Sequence, residues 1–212
     1  MLERLRGVQG VVLRPFARLL LRLGVHPDAV TWFGALSVTV TALVCFGMGW
    51  LWQGALAVAV LSCSDMIDGH MARESGSAGR WGGFLDATLD RVADAGVIGG
   101  LAWHLGLRAG SAWAVLAVVA LVLAQATSYV KARAEAINCQ ADVGLVTRAD
   151  RIALALLGAL LGGLGVPYAL EVAVVLLVLG GAITVVQRLV AVRRQLRSPA
   201  SAPASGPIRV RT

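Results

Sequence analysis

The sequence has little charge and almost no lysine. Of its 212 residues only 15% are charged and one is lysine, whereas 58% are hydrophobic and the mean hydropathy is +0.76. Soluble globular domains have about 25% charged and about 45–50% apolar residues, so a soluble domain is close to excluded. Disorder is excluded as well, because it requires low hydrophobicity. The chain is long enough for about six membrane spans of about 20 residues each.

Cysteine and histidine are also scarce, which removes several kinds of site. Cys45, Cys63 and Cys139 are too widely spaced for a metal-binding pattern, and we interpret them as small apolar side chains. The three histidines lack the context of a nucleophile elbow, so a Ser-His-Asp hydrolase is not supported. No signal peptide is evident, because Arg recurs through residues 1–22 without an uninterrupted apolar core.

The hydrophobic pattern predicts an all-α membrane protein with six transmembrane helices. An amphipathic surface helix is expected over residues 2–23, with Arg14, Arg18 and Arg22 on the face opposite its apolar side chains. A single domain is expected over 1–197, and residues 198–212, rich in Ser, Pro, Ala and Gly, are expected to be disordered. The predicted spans are residues 29–50, 52–71, 83–105, 111–134, 150–165 and 168–192.

The basic residues predict the orientation. With six spans, 18 of the 19 Lys and Arg lie at or near the side that carries both termini, and Arg108 is the exception. The positive-inside rule then makes that side cytoplasmic in a multi-pass cell-membrane protein. A net charge of +7 is compatible with nucleic-acid binding. In so apolar a chain, arginines facing anionic headgroups are the simpler interpretation, and no nucleic-acid partner is expected.

Four aspartates carry the chemistry. Asp65 and Asp68 are three residues apart, and Asp86 and Asp90 are four apart, so each pair shares one helix face. An Asp at the bilayer centre costs about 2.5–3.5 kcal/mol, and four together also repel one another. A divalent cation compensates best, and ligands that are all oxygen suit Mg²⁺ or Mn²⁺. Asp94 continues the second face, and we interpret it as a partner of an Arg rather than as a ligand.

A second class of function, a divalent-cation channel or transporter, also uses carboxylates inside the membrane. It predicts them near the middle of the bilayer, whereas all four aspartates lie toward one end of their spans. Gly69, Ala72 and Gly82 beside them allow close helix packing or leave room for a flat ligand. An enzyme is favoured, because paired metal ions would neutralise the charge on transferring oxygens during attack on a pyrophosphate.

The motif resembles a known family signature. Asp65-x-x-Asp68-Gly69-x-x-Ala72-Arg73, eight residues, then Gly82-x-x-x-Asp86-x-x-x-Asp90 is similar to the signature of the CDP-alcohol phosphatidyltransferases at every defining position. The resemblance implies a six-helix bundle, a homodimer and a site with two Mg²⁺ ions that faces the cytoplasm, with Mn²⁺ as the other suitable metal.

The resemblance also implies individual roles. Asp65, Asp68 and Asp86 would bind the first metal ion, and Asp65, Asp86 and Asp90 the second. Asp90 would also be the general base. Gly69 and Arg73 would contact the nucleotide-diphosphate end of a CDP-linked lipid, beside the small residues Ala72 and Gly82.

Five basic residues bear on the acceptor alcohol. They lie at the cytoplasmic ends of the fourth and fifth spans and within the sixth: Lys131, Arg133, Arg148, Arg151 and Arg188. Each has two interpretations, membrane anchoring and phosphate binding, and the planar guanidinium matches phosphate oxygens well. Arg188 favours a phosphate pocket most, because Arg193 and Arg194 already provide an anchor.

Residues 27–31, 85–91, 128–136 and 187–189 are similar to those of one branch of the family, the actinobacterial phosphatidylinositol phosphate synthases, and the resemblance extends to about Arg194. This implies that CDP-diacylglycerol reacts with L-myo-inositol 1-phosphate (1D-myo-inositol 3-phosphate) to give phosphatidylinositol phosphate and CMP in phospholipid biosynthesis. The chain departs from the branch at Gly79, where a hydroxyl residue often stands. The alternative is a phosphatidylglycerophosphate synthase that uses glycerol 3-phosphate. The resemblance adds Asp28, Ala29, Val30, Thr31 and Gly79 to the CDP-lipid site and makes Lys131, Arg133, Arg151 and Arg188 the acceptor contacts.

Overall fold

The structure is a computed structural model that describes residues 15, 17–76 and 79–197, apart from the side chains of Asp65 and Met66. No strand occurs within these residues. Seven helices have both ends there, and they follow one another as α1 Pro27–Gly47, α2 Leu51–Leu61, α3 Ser64–Glu74, α4 Arg80–Arg108, α5 Ser111–Ala136, α6 Arg148–Gly163 and α7 Ala169–Arg197.

The second predicted span is divided in the structure. A single helix was expected over residues 52–71, but α2 ends at Leu61 and α3 begins at Ser64. The hydroxyl of Ser62 donates to the carbonyl of Val58, and that of Ser64 to Leu61. Such hydroxyls compete with backbone donors for helical carbonyls, which explains a tightened turn at this point. As a result, the predicted metal-binding aspartates of this segment lie on the short helix α3.

Helices α1 and α4 pack closely because α4 carries glycines four residues apart. A Cβ added at Gly96 would lie 2.7 Å from Thr39 Cα, and one added at Gly100 would lie 2.7 Å from the carbonyl oxygen of Ala42. Small residues at this spacing allow helix backbones to approach, as in membrane helix pairs. The contact holds the start of α1 beside the first half of α4, where the aspartates lie.

The remaining helices surround this pair. Helix α5 packs between α4 and α7, and α6 packs against α2 and α7. The core is filled by side chains from six helices, among them Phe46, Val58, Val97, Leu101 and Val174. Six helices therefore share one core, whereas α3, which carries Asp65 and Asp68, packs against α1.

Among the helices of the described residues, three are long and apolar enough to cross a membrane, namely α1, α5 and α7. Helix α4 has 29 residues, but charges recur through its first half, and α6 has only 16. Large apolar side chains are exposed on the outside of the bundle, including Phe33 at 72% and Val60 at 71%. Lipid contact explains these surfaces.

Two predictions fall largely on residues that the structure leaves undescribed. Of the predicted surface helix over 2–23, residues 17–22 are helical, and most of the remainder lies outside the described residues. The predicted tail over 198–212 also lies outside them.

Candidate active site

The carboxylates of α3 and α4 lie beside an open cavity of about 350 Å³. Asp68 on α3 is buried, whereas Asp86 on α4 is exposed. Both line the cavity. Asp65 is in the first turn of α3, and its side chain lies outside the described residues. The cavity is bounded by Pro27, Asp28, Thr31, Asp68, Gly69, Ala72, Arg73, Gly79, Gly82, Gly83 and Asp86.

A second, enclosed cavity adjoins the first. It measures about 20 Å³, which is enough for about one water molecule. Asp86 and Thr31 line both cavities, whereas Asp90 and Arg148 line only the second. Asp86 therefore borders both the open cavity and the small cavity, and the small cavity is also lined by the basic residue Arg148.

The structure brings seven of the nine residues predicted for the CDP-lipid site to the open cavity; the other two, Ala29 and Val30, are not among its lining residues. The period of α1 explains the difference. Helix α1 starts at Pro27, so Asp28 and Thr31 share a face, and the two intervening residues point elsewhere. A Cβ added at Gly82 would meet nothing within 4 Å, so a side chain there would enter the cavity.

Sequence analysis did not identify Trp81, which contacts the cavity-lining residue Asp28. Its indole Nε1 donates to Asp28 Oδ2 at 3.0 Å, which links the start of α4 to the start of α1. Arg73 also lines the cavity, and its Nη2 lies 2.6 Å from Nδ1 of His70 on the same helix. No spacing rule joins Asp28 to Trp81, because they are 53 residues apart.

Asp90 and Asp94 are held by arginines from the first turn of α6. Arg148 Nη1 lies 2.8 Å from Asp90 Oδ1, and Arg148 Nε donates to Asp94 Oδ1 at 3.1 Å. Arg151 Nη2 lies 3.6 Å from Asp94 Oδ2. Arg148 thus bridges the acidic and the basic residues. The predicted pairing of Asp94 with an arginine is present in the structure.

A capping box fixes the position of these arginines. Thr147 Oγ1 accepts from the backbone N–H of Asp150 at 3.3 Å, and Asp150 Oδ2 accepts from the backbone N–H of Thr147 at 2.8 Å. This reciprocal pair satisfies donors that the first turn would otherwise leave unbonded. Arg148 and Arg151, three residues apart, therefore leave the start of α6 on one face.

Arg151 and Arg188 meet at Thr127 on α5. Arg151 Nη1 donates to Thr127 Oγ1 at 3.1 Å, and Arg188 Nη1 donates to the carbonyl oxygen of Thr127 at 2.5 Å. Arg151 is only 4% exposed, its Nη2 has the ion pair with Asp94, and within the described part of the chain its Nε has no hydrogen-bond acceptor. Buried donors of this kind suit the oxygens of an anionic ligand.

Lys131 and Arg133 lie on different sides of α5. Lys131 Nζ lies 2.5 Å from Asp142 Oδ1 in the loop before α6. The hydrogen bond from Lys131 lowers the pKa of the exposed Asp142 carboxyl below its usual value. Arg133 instead lines an apolar groove with Arg193 and Arg197 of α7. The structure therefore brings Arg151 and Arg188 together at Thr127 and directs Arg133 to a separate groove.

The carboxylate oxygens on α3 and α4 are chemically suitable ligands for a divalent cation. Within the residues whose side chains are described, no three His, Cys, Asp or Glu groups lie close enough to hold a metal ion. Asp68 and Asp86 nevertheless line one cavity, and Asp86 and Asp90 line the next. Carboxylate oxygens are the ligands that Mg²⁺ and Mn²⁺ prefer. The predicted ligand Asp65 adds a fourth carboxylate from the first turn of α3.

Comparisons with known proteins agree with the motif. The family model described as CDP-alcohol phosphatidyltransferase matches residues 24–186. The phosphatidylinositol phosphate synthase of Cutibacterium acnes is 45% identical over 207 residues, which are 93% of this chain and 100% of that protein. That of Mycobacteroides abscessus is 44% identical and covers 86% of this chain and 84% of its own. The resemblance to this family is confirmed.

Solved structures share the fold. The phosphatidylinositol phosphate synthase of Mycobacterium tuberculosis with CDP-DAG bound gives a TM-score of 0.82 at 40% identity, and the match covers 85% of this chain and 93% of that one. The same synthase in complex with manganese and citrate gives a TM-score of 0.81 at 40% identity, over 85% of this chain and 88% of that one.

Proposed function

The chain belongs to the CDP-alcohol phosphatidyltransferase family, and we propose that it transfers the phosphatidyl group of CDP-diacylglycerol to L-myo-inositol 1-phosphate. The products are phosphatidylinositol phosphate and CMP. One observation carries the proposal: an open cavity lined by carboxylates and glycines lies next to an arginine cluster with Arg151 buried at its centre, and Arg148 links the two. The open cavity would suit an activated lipid, and the arginine cluster would suit a phosphorylated alcohol.

The open cavity would hold the CDP end of the lipid. Gly69, Gly82 and Ala72 leave space along the backbones of α3 and α4, so a flat nucleotide and its diphosphate can come close to them. Arg73 supplies a guanidinium for the diphosphate. A related synthase has been solved with CDP-DAG bound, which supports this assignment.

The aspartates would hold two divalent cations, for which we propose Mg²⁺. Asp65, Asp68 and Asp86 would hold one ion, and Asp65, Asp86 and Asp90 the other. The bound ions would neutralise the negative charge on the diphosphate. The all-oxygen donor set of α3 and α4 supports this, as does the complex of a related synthase with manganese and citrate.

Asp90 would accept the proton of the attacking alcohol. It lines the small cavity together with Arg148, and its side chain is 16% exposed. The hydroxyl oxygen would attack the phosphorus that carries diacylglycerol, its proton would pass to an Asp90 carboxylate oxygen, and the bond to CMP would break. A carboxylate within reach of the hydroxyl is a suitable general base for this step.

The arginine cluster would bind the phosphate of the acceptor. Arg151 offers the buried donor Nε, and Arg188 contacts Thr127 on α5 as Arg151 does. Lys131, one helical turn after Thr127, adds an ammonium group nearer the exposed surface. Arg133 was predicted for this pocket as well, and its position in the groove beside α7 makes it the weakest of the four candidates.

We further propose that the protein crosses the cell membrane six times with both termini and the active site on the cytoplasmic side. The apolar lengths of α1, α5 and α7 support membrane insertion. The arginines concentrate at the ends where the site lies, which the positive-inside rule assigns to the cytoplasm. A homodimer is proposed from the family resemblance.

An acceptor competition tests the function. The full-length protein in liposomes is supplied with CDP-diacylglycerol and Mg²⁺, and CMP release is measured with inositol 1-phosphate, glycerol 3-phosphate or unphosphorylated inositol. We expect the first acceptor to give the highest kcat/KM and the product mass to match phosphatidylinositol phosphate. Equal or faster turnover with glycerol 3-phosphate would make the protein a phosphatidylglycerophosphate synthase.

A further inference from the structure

The proposed reaction has no step for Asp94, although Asp94 is the centre of a charged cluster. It lies one turn after Asp90 on α4 and is only 1% exposed. Arg148 and Arg151 approach its two carboxylate oxygens, at 3.1 Å and 3.6 Å, and Arg91 Nη2 lies 4.0 Å from Oδ2. Three guanidiniums therefore surround one buried carboxylate.

The arginines of α6 need such a partner. The N-terminus of a helix carries partial positive charge, so Arg148 and Arg151 in the first turn of α6 are placed unfavourably by the helix dipole. They also repel each other, and burial removes the water that would screen them. Asp94 offsets these costs from the neighbouring helix, because it is the carboxylate that both guanidiniums contact.

The contacts also fix the direction of the guanidiniums. Arg151 is held through Nη1 by Thr127 and through Nη2 by Asp94, so its plane is set by two helices. Arg148 is held through Nε by Asp94 while Nη1 contacts Asp90. We propose that Asp94 is the positioning residue that aims Arg148 and Arg151 at the phosphate of the acceptor. This rests on the proposed function and deepens it.

If Asp94 acted only through its charge, its removal would have the opposite effect on acceptor binding. Asp94→Asn removes a negative charge beside an anion-binding pocket, and charge alone would then strengthen the binding of a phosphorylated acceptor. If Asp94 acts by positioning, the same change weakens acceptor binding, because the arginines lose the group that orients them. The sign of the effect therefore separates positioning from a change in local charge.

The test measures the KM of each substrate in the CMP-release assay on the full-length protein. For Asp94→Asn we expect the KM of the phosphorylated acceptor to rise by about tenfold or more, as for loss of a hydrogen bond between charged groups. The KM of CDP-diacylglycerol should stay within about twofold, because Asp94, Arg148 and Arg151 are not among the residues that line the open cavity. The control is Gln125→Met, because Gln125 Nε2 on α5 donates to the backbone carbonyl oxygen of Arg91 and so contacts the same part of α4 through the backbone rather than through a guanidinium.

An unchanged or lower acceptor KM in Asp94→Asn would overturn the proposal. So would an equal rise for both substrates, or the same rise in Gln125→Met, since either outcome means that only packing was lost. If Asp94→Asn does not fold, Arg151→Lys replaces it and should raise the acceptor KM alone; no rise would also overturn the proposal. If glycerol 3-phosphate proves to be the acceptor, the proposed function fails, and the KM of that acceptor tests Asp94.

Discussion

The two sides of the site are built in different ways. The carboxylate side, made of α3 and the first half of α4, comes from one continuous stretch of sequence and borders an open cavity. The arginine side, made of Arg148, Arg151, Arg188 and Lys131, comes from α5, α6 and α7. Its guanidiniums are already bonded to Thr127, Asp94 and the carbonyl oxygen of Val143.

This difference indicates different demands on the two substrates. An open cavity edged by glycines can take a large nucleotide that brings its own charge and shape. A buried guanidinium discriminates against a ligand that does not accept its hydrogen bonds, because each buried donor left without an acceptor costs free energy. The arginine side should therefore select the acceptor, and the carboxylate side should bind the lipid donor. Variants on either side can break this division.

The largest effect is expected from Asp90→Asn. The amide cannot take the proton of the acceptor, so kcat should fall by about 10²- to 10⁴-fold, the usual contribution of a general base. Binding of CDP-diacylglycerol, measured by equilibrium binding in liposomes, should stay largely intact. Complete loss of that binding would make Asp90 chiefly a metal ligand.

Removal of an arginine that contacts Thr127 should have the next largest effect. Arg151→Ala and Arg188→Ala should each raise the KM of the phosphorylated acceptor by about 10- to 100-fold, because hydrogen bonds to a charged group are lost. The KM of CDP-diacylglycerol should change much less. Arg194→Ala is the control, since Arg194 is exposed near the end of α7. If only the CDP-diacylglycerol KM moved, the phosphate pocket would be misplaced.

A smaller effect is expected from Thr127→Val. This nearly isosteric change removes the hydroxyl that accepts from Arg151 but keeps the carbonyl that accepts from Arg188. The acceptor KM should rise by about 3- to 10-fold, the value of one hydrogen bond. Combined with Arg151→Ala, the change should add nothing; a full additional rise would mean that Thr127 acts on the acceptor without Arg151.

The smallest effect is expected at the exposed edge. Asp142→Asn removes a contact of Lys131, but exposed ion pairs contribute little, so the acceptor KM should stay within about twofold. Lys131 lowers the pKa of Asp142. The contact is therefore fully formed at pH values above the ordinary pKa of an aspartate, and it is lost as the pH falls through the lowered pKa. The pH profiles of acceptor KM for wild type and variant should coincide near neutrality, and a shift between them would contradict this.

The carboxylate side could be predicted because its information is local. Helical spacing places Asp86 and Asp90 on one face of α4, and the glycines beside them border the cavity that was expected. Local information also has a limit at Ser62, where a hydroxyl contact tightens a helix that hydropathy alone extends from residue 52 to 71.

The arginine side could be predicted only as a set of candidates. Arg188 meets Thr127 across 61 residues, and no local pattern encodes this contact. Lys131 and Arg133 were predicted for one pocket, but they are two residues apart on α5. At about 100° per residue, side chains two positions apart point to nearly opposite sides of a helix. That is why Arg133 lies in the groove beside α7.

The central claim is that the two sides bind different substrates, and crossed binding tests it most directly. Gly82→Val would place a side chain in the open cavity, whereas Arg151→Ala removes a buried guanidinium. Equilibrium binding of CDP-diacylglycerol and of labelled inositol 1-phosphate would be measured for both variants. We predict that Gly82→Val loses the lipid and keeps the inositol phosphate, and that Arg151→Ala does the reverse. Loss of both ligands to the same extent in each variant would contradict the account.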